Sequence, residues 1–283
     1  MKKFIIISIL IISLTISTIL IYGITISPKK IKTNEIKILS SSITDNFNGF
    51  KIVHLSDIYY GNTIDDNMLN KVVDEINLIN PDIIVITGDT LTNENYNDND
   101  ILTIQSSLNN MHAKLGKYII KGDNDLDIFE DIIKDTDFTF LNDSYTYIYN
   151  TDNMPILLVG INSNDDINEK LYNVIKDIPL TTETCYKILI THKPDSIMKA
   201  EYDKFNLILA GHSLGGINIF GKRFNLPDGA KKYYKGEYNI NNTILYVSTG
   251  LGTNNTKYRF SNNPSINFYR IVKWDVSISF FIC

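Results

Sequence analysis

The sequence predicts an α/β fold of two β-sheets flanked by helices, preceded by one transmembrane helix. Three features point there. Residues 4–26 form an uncharged apolar stretch, the chain up to about residue 133 alternates short apolar runs with helically spaced ones, and the remainder is dominated by strand-like runs in series.

Met1-Lys2-Lys3 precedes the apolar stretch, which at about 1.5 Å per residue is long enough for a hydrocarbon core of about 30 Å. A cleaved signal peptide would have a shorter apolar region ending in a small-x-small site, and neither feature precedes Ser27-Pro28-Lys29-Lys30. Residues 1–26 are therefore read as an uncleaved single-pass anchor in the cell membrane. Lys2 and Lys3 favour an inside N-terminus while Lys29, Lys30 and Lys32 pull the other way. Because a short tail before a first span behaves as a signal anchor, the domain is placed outside the cytoplasm.

Residues 27–34 read as a short tether, and 27–49 as tether plus first strand, the strand at 36–39. The domain proper is assigned to 50–283. It opens with a strand at 50–55, and Met68, Val72, Val73, Ile76 and Ile79 then fall at helical spacing until Pro81 stops the helix. A buried strand at 83–86, a polar loop at 93–100, a helix through Ile101, Ile104 and Leu108, a strand at 118–120 and a helix at 128–133 follow. Further strands are expected at 145–149, 156–161, 187–190, 207–209, 244–247 and 268–274, with helices near 167–175 and 197–202.

The 283 residues are 43 % apolar, enough for a sizeable core, and the net charge of −5 excludes the basic face of a nucleic-acid binder. Cys185 and Cys283 are too few for a disulfide framework or a thiolate metal site, and Cys185 reads as a small residue beside a strand.

Five segments share one grammar, an apolar strand followed by a small or polar residue and then a possible ligand. They end in Leu55-Ser56-Asp57, Thr87-Gly88-Asp89, Lys121-Gly122-Asp123, Thr191-His192 and Ala210-Gly211-His212. A buried strand excludes charge along its length, so its first ionisable residue tends to appear at the sheet edge, where such folds gather ligands. Carboxylates with imidazoles suit manganese, iron or zinc better than calcium. Of the other histidines, His54 should point to the opposite sheet face from Asp57 and pack, and His112 reads as a surface residue at a helix end.

On these blocks the chain resembles the calcineurin-like metallophosphoesterases, specifically their small membrane-associated bacterial members. The family pattern of Asp-x-His, Gly-Asp, Gly-Asn-His-Asp/Glu, a lone His and Gly-His-x-His stands here as Asp57-Ile58-Tyr59, Gly88-Asp89, Gly122-Asp123-Asn124-Asp125, His192 and Gly211-His212-Ser213-Leu214. Gly215-Gly216, Tyr234, Gly236, Tyr238 and the run from Tyr246 to Gly252 extend the likeness, which covers roughly residues 50 to 275. It implies a four-layer αββα sandwich with two metals at one edge.

The departures redefine the expected site. Two ligands that the resemblance assigns to one metal are Tyr59 and Leu214 here, and leucine cannot coordinate. The other metal keeps Asp89, Asp123, His192 and His212, so Asp57, Asp89, Asp123, His192 and His212 are the expected metal residues, for one divalent ion and at most a weak second. The family's catalytic histidine is Asn124, which cannot act as a general acid. Tyr59 either binds ferric iron as a phenolate or fills the vacated space. Two divalent ions and two carboxylates would leave a net +2, whereas one ion with Asp57, Asp89 and Asp123 leaves −1, a poor field for phosphate.

The resulting expectation is a membrane-anchored, metal-dependent phosphoesterase, weak and mononuclear. Asp57 orients water, Asn124 contacts phosphate, and the substrate is a phosphorylated small molecule or lipid head group. The alternative is a catalytically inactive member of the same fold acting as a binding or scaffold module.

Overall fold

In the computed structural model the described residues are 2–151, 154–163, 167–179, 185–199, 202–219, 222–254, 258–260 and 262–274. Helix α1 (Lys2–Ile21) carries no buried residue and is long and apolar enough to span a membrane. It runs into a π-turn (Tyr22–Ile26) and one 3₁₀ turn (Ser27–Lys29) before strand β1 (Lys32–Ser40).

The tether expected at 27–34 is therefore shorter, and the first strand longer, than the hydropathy indicated. Lys32, Thr33 and Asn34 are polar because β1 is an edge strand, and its backbone pairs in parallel with β14 (Ser265–Lys273) along all nine residues. Hydropathy reports burial, and an edge strand can be built with little of it.

The first sheet has the order β1-β14-β2-β3-β4-β5, with β2 (Phe50–Leu55), β3 (Ile83–Thr87), β4 (Gly116–Ile120) and β5 (Thr139–Phe140) mutually parallel. The second has the order β12-β13-β9-β8-β7-β6. In it β7 (Ile156–Ile161), β8 (Tyr186–Thr191), β9 (Leu207–Ala210) and β13 (Thr243–Val247) are parallel, while β6 (Ser144–Ile148) and β12 (Gly236–Ile240) run antiparallel at its edges. A two-stranded ribbon, β10 (Ile217–Ile219) with β11 (Lys222–Phe224), stands apart from both sheets.

Three apolar layers hold the sandwich. Ile52, Val85, Ile120, Leu158, Ile190 and Leu209 meet between the sheets. Helices α2 (Asp66–Ile79), α3 (Asp98–Asn110) and α4 (Phe129–Ile133) cover the first sheet through Leu69, Val72, Ile76, Ile104, Leu108 and Ile132. Helix α5 (Ile167–Asp177) covers the second through Ile167, Leu171 and Val174. This is the expected order of helix, sheet, sheet and helix.

Local chemistry sets the boundaries. Asp65 caps α2 by accepting from the Met68 N–H at 2.9 Å, and Asn80 closes it at φ 51° just before Pro81. Asn97 and Asp100 form a reciprocal capping box on α3. The helix expected near 197–202 is instead two 3₁₀ turns, Pro194–Lys199 and Tyr202–Lys204. Strands β5, β10, β11 and β12 were not anticipated, since each is only two to five residues long and carries no run of apolar residues. Cys185 is buried and free, as its small-residue reading required, and Cys283 lies outside the described residues.

Candidate metal centre

Every expected ligand follows the C-terminal end of a parallel strand. Asp57 follows β2, Asp89 follows β3, Asp123 follows β4, His192 follows β8 and His212 follows β9. Strands from both sheets thus deliver them to one edge of the sandwich, which hydropathy along a single strand cannot show.

The loops that turn these residues inward are conformationally demanding. Asp57 (φ 53°), Tyr59 (φ 49°), Asp89 (φ 57°), His212 (φ 66°) and Leu214 (φ 49°) all occupy the left-handed region. Such conformations cost free energy and gather where surrounding structure over-determines them. The loops also approach closely. A Cβ on Gly122 would lie 2.2 Å from Asp89 Oδ1, and one on Gly211 would lie 1.7 Å from Ser56 Oγ, so both positions require glycine. Asp125 ties two of the loops together by accepting N–H groups from Asp89 (2.8 Å), Thr90 (2.6 Å) and Gly122 (2.8 Å). Burial, with the charge of Asp89, raises its carboxyl to about 7 against these three donors.

Four ligand atoms, one each from Asp89, Asp123, His192 and His212, lie within 4.8 Å of one another. His192 Nε2 is 3.3 Å from Asp89 Oδ2 and 3.1 Å from Asp123 Oδ1, and His212 Nδ1 is 3.3 Å from Asp123 Oδ1. The outward ring nitrogens fix the tautomers. His192 Nδ1 donates to the Thr87 carbonyl at 2.5 Å, and His212 Nε2 donates to the Asp228 carbonyl at 2.8 Å. A carbonyl oxygen only accepts, so each of these nitrogens carries a hydrogen.

The two inward nitrogens, 3.1 Å apart, then present lone pairs to each other and to two carboxylates. Four converging acceptors need a shared cation. Bond lengths near 2.0–2.1 Å at tetrahedral angles would separate neighbouring ligand atoms by about 3.3 Å, close to what is found. A divalent metal therefore fits. Without a metal, a proton on His192 takes that role. Burial of His192 opposes its charge, but Asp89 and the bonds to Asp123 and Asp89 outweigh that and hold the imidazole well above its ordinary value. Burial works in the opposite sense on Asp89, whose neighbours His192, Tyr59 and Asn124 nonetheless bring it down to about 2.

Asp57 stands outside this group of four. Its Oδ2 accepts from the Ser56 hydroxyl (2.5 Å) and the His212 N–H (3.0 Å), while Oδ1 is buried with no hydrogen-bond partner among the described residues. Burial pushes its carboxyl up, with His192 pulling it down. Asn124 is turned onto the ligand Asp89, its backbone N–H donating to Oδ1 at 2.9 Å and its amide to Oδ2 at 2.7 Å. Tyr59 fills the vacated space, only 2 % exposed, and its hydroxyl donates to Asp89 Oδ2 at 2.6 Å. Burial and the nearby carboxylates hold this phenol far above its ordinary pKa, which favours the proton-donating form over a phenolate.

His54 packs between the sheets, as alternation required, bonded to Tyr269 (3.2 Å) and Thr87 (2.9 Å). His112 is exposed, two residues past the end of α3.

The residue pattern of the calcineurin-like phosphoesterases matches residues 50–216, more than half of the chain. The chain belongs to the calcineurin-like phosphoesterase family. Among curated proteins it is similar to the metallophosphoesterase YkuE of Bacillus subtilis, 29 % identical over 258 residues and covering 88 % of each chain. The metallophosphoesterase Cj0846 of Campylobacter jejuni is 29 % identical over 232 residues, or 78 % of this chain and 59 % of that one. A transmembrane protein with metallophosphoesterase domain from Danio rerio is 24 % identical over 281 residues, 90 % of this chain and 61 % of that one. The last likeness, together with α1, supports membrane association.

Two cations absent from the sequence-based charge balance alter this calcineurin-like phosphoesterase site. Lys193 Nζ lies 2.8 Å from Asp123 Oδ2. Arg259 is buried, donates to the carbonyls of Thr249 (2.7 Å) and Gly252, and feels the field of Asp57 and Tyr59. Burial lowers its guanidinium only to about 10, so it stays charged at neutral pH. Both line the cleft of about 470 Å³ that holds Tyr59, Asp123, Asn124 and His212. Counting them together with Asp228, which lines the same cleft, moves the expected net charge from −1 to 0, which removes the repulsive excess inferred from ligands alone. Lys193 follows His192 directly and was open to notice. Arg259 lies 47 positions beyond His212 and had no local signal.

Proposed function

We propose that the chain is a membrane-anchored, metal-dependent phosphoesterase that slowly hydrolyses a phosphate ester at one divalent ion of manganese, iron or zinc, with the domain outside the cytoplasm. The observation that carries this reading is the convergence of two imidazole nitrogens and two carboxylates, with the outward ring nitrogens tied to carbonyls so that the inward ones are turned toward a common point.

Asp89, Asp123, His192 and His212 would hold the ion. When bound, it supplies Lewis acidity toward a phosphoryl oxygen and acidifies a water. The chain's own groups do the rest. The Thr87 and Asp228 carbonyls fix the imidazole orientations, and Tyr59 with Asn124 pins Asp89. Lys193 and Arg259 bring positive charge to the cleft that receives the phosphate. Asp57, with its free Oδ1, is the remaining carboxylate able to orient a water. No imidazole stands at position 124 to protonate the departing alkoxide, so esters with good leaving groups should be preferred. The substrate class is a phosphorylated small molecule or a lipid head group.

The second reading is an inactive binding or scaffold module that retains the ion as a pin. It draws on Asn124 and Leu214, which replace a general acid and a ligand of the family pattern. Metal analysis with hydrolysis of a chromogenic aryl phosphodiester decides between the two. The enzyme reading expects turnover in manganese that disappears in Asp89→Asn and His192→Ala. Stoichiometric metal without any turnover would leave only the module.

A further inference from the structure

We infer that the ester taken by this site is the headgroup phosphate of a membrane lipid, delivered from the bilayer surface into the cleft, because the exit of the N-terminal span is fixed against the cleft wall. This inference rests on the phosphoesterase reading and narrows its substrate.

Helix α1 has 20 residues and no buried side chain, so at about 1.5 Å per residue it matches a hydrocarbon core of about 30 Å. Gly23, two residues beyond Ile21 and thus about 3 Å further along the axis, is the first buried residue, while Ile24 and Ile26 on the other faces of the same turn stay exposed. Gly23 is buried against Phe260. A Cβ there would lie 2.7 Å from the Phe260 ring. Its carbonyl accepts the Arg259 N–H at 2.9 Å.

Ser27 and Pro28 are buried as well, the Lys32 N–H donates to Pro264 at 2.8 Å, and β1 then runs into the first sheet. The span is therefore joined to the domain without slack, and the residues it docks on are Arg259 and Phe260. Both also line the cleft that contains Asp123 and His212.

A flexible tether would suffice to keep an enzyme near a membrane while it works on soluble esters. A docked exit turn does something different. It holds one wall of the cleft within a turn of helix of the bilayer edge, where lipid phosphates lie. The lining fits such a ligand. Arg259 and Lys193 suit the phosphate, and Leu214, Ile217, Leu226 and Phe260 offer an apolar surface to the carbons next to it. Phe224, at the end of the ribbon that leads to Leu226, is half exposed.

The test uses the full chain, loaded with manganese, in phosphatidylcholine vesicles, with two substrates carrying the same p-nitrophenyl phosphodiester. One bears a dipalmitoylglycerol group and resides in the bilayer, and the other bears ethyl and is soluble. Two variants uncouple the span from the cleft wall: Gly23→Leu, which breaks the docking itself, and an insertion of about eight Gly/Ser residues between Ile21 and Tyr22, which leaves Gly23 docked but lets the span move by about 16 Å as a flexible coil.

The wild type should cleave the bilayer ester, and the ratio of lipid to soluble rates should fall about tenfold or more in both variants with the soluble rate retained. If Gly23→Leu also loses the soluble rate it has misfolded, and the insertion variant decides alone. An unchanged ratio, or a wild type that cleaves only the soluble ester, overturns the lipid inference and leaves the phosphoesterase reading standing. Cleavage of neither ester removes both.

Discussion

Removing the divalent ion should destabilise the protein by an amount set by how far the ion's concentration exceeds its dissociation constant. Without a cation, the inward nitrogens of His192 and His212 lie 3.1 Å apart beside two carboxylates, and the imidazoles are held in place by the Thr87 and Asp228 carbonyls. An ion that binds the folded chain and is present at about 100 times its dissociation constant stabilises it by about 2.7 kcal/mol. For a domain of about 250 residues, 1 kcal/mol moves the thermal midpoint by about 2–4 °C, so the expected shift is about 5–10 °C. Thermal melts followed by near-ultraviolet circular dichroism, with chelator and with manganese, measure it. His192→Ala should abolish the shift. Asp57→Asn should keep most of it, because Asp57 is not among the four converging groups. Coincident melts with and without metal, or a full shift in His192→Ala, would refute the reasoning.

Restoring the family residues with Tyr59→His, Asn124→His and Leu214→His together should raise the turnover of an alkyl phosphodiester about a hundredfold or more, since a positioned general acid alone contributes that much; a rate within a few fold of wild type in a folded, metal-loaded variant argues against a latent active site. Burial holds His54 at about 3 in the folded protein against 6.5 when unfolded. Its contribution to stability is thus full above about pH 6.5 and is lost as pH falls toward 3, by up to about 1.4 kcal/mol per pH unit. Urea unfolding across that window should show a slope that His54→Gln lowers by about one proton, and equal slopes would count against it. Gly211→Ala forces a Cβ to within 1.7 Å of Ser56 Oγ and 2.7 Å of Asp57 Oδ2, and should cost about 1–3 kcal/mol or more, read as a lower urea midpoint.

The strands that carry the site could be read from the sequence because they are buried on both faces and so appear as continuous apolar runs. The segments 50–55, 83–86, 156–161 and 207–209 fall within strands for that reason. β1 and β12 were partly or wholly missed because edge strands keep polar residues, and the ribbon because it belongs to neither sheet. At the site, apolar-run grammar pointed to Asp89, Asp123, His192 and His212, and the structure brings all four together. Asp57 carries the same signature at the end of β2; its Oδ2 accepts from Ser56 and the His212 backbone, and its Oδ1 has no hydrogen-bond partner among the described residues.

By itself the sequence determined the anchor's length, the layering of helices and strands, and the residue types able to hold a metal, because each of these is written in local periodicity and local chemistry. Only the tertiary structure decided which cations balance the cleft's carboxylates, the tautomers of the two histidines, and the docking of the span's exit beside the site. Those depend on which distant backbones meet. Arg259 reaches the cleft by a loop that pairs with Gly23. Such a contact joins residues more than two hundred positions apart, and no periodicity along the chain encodes it.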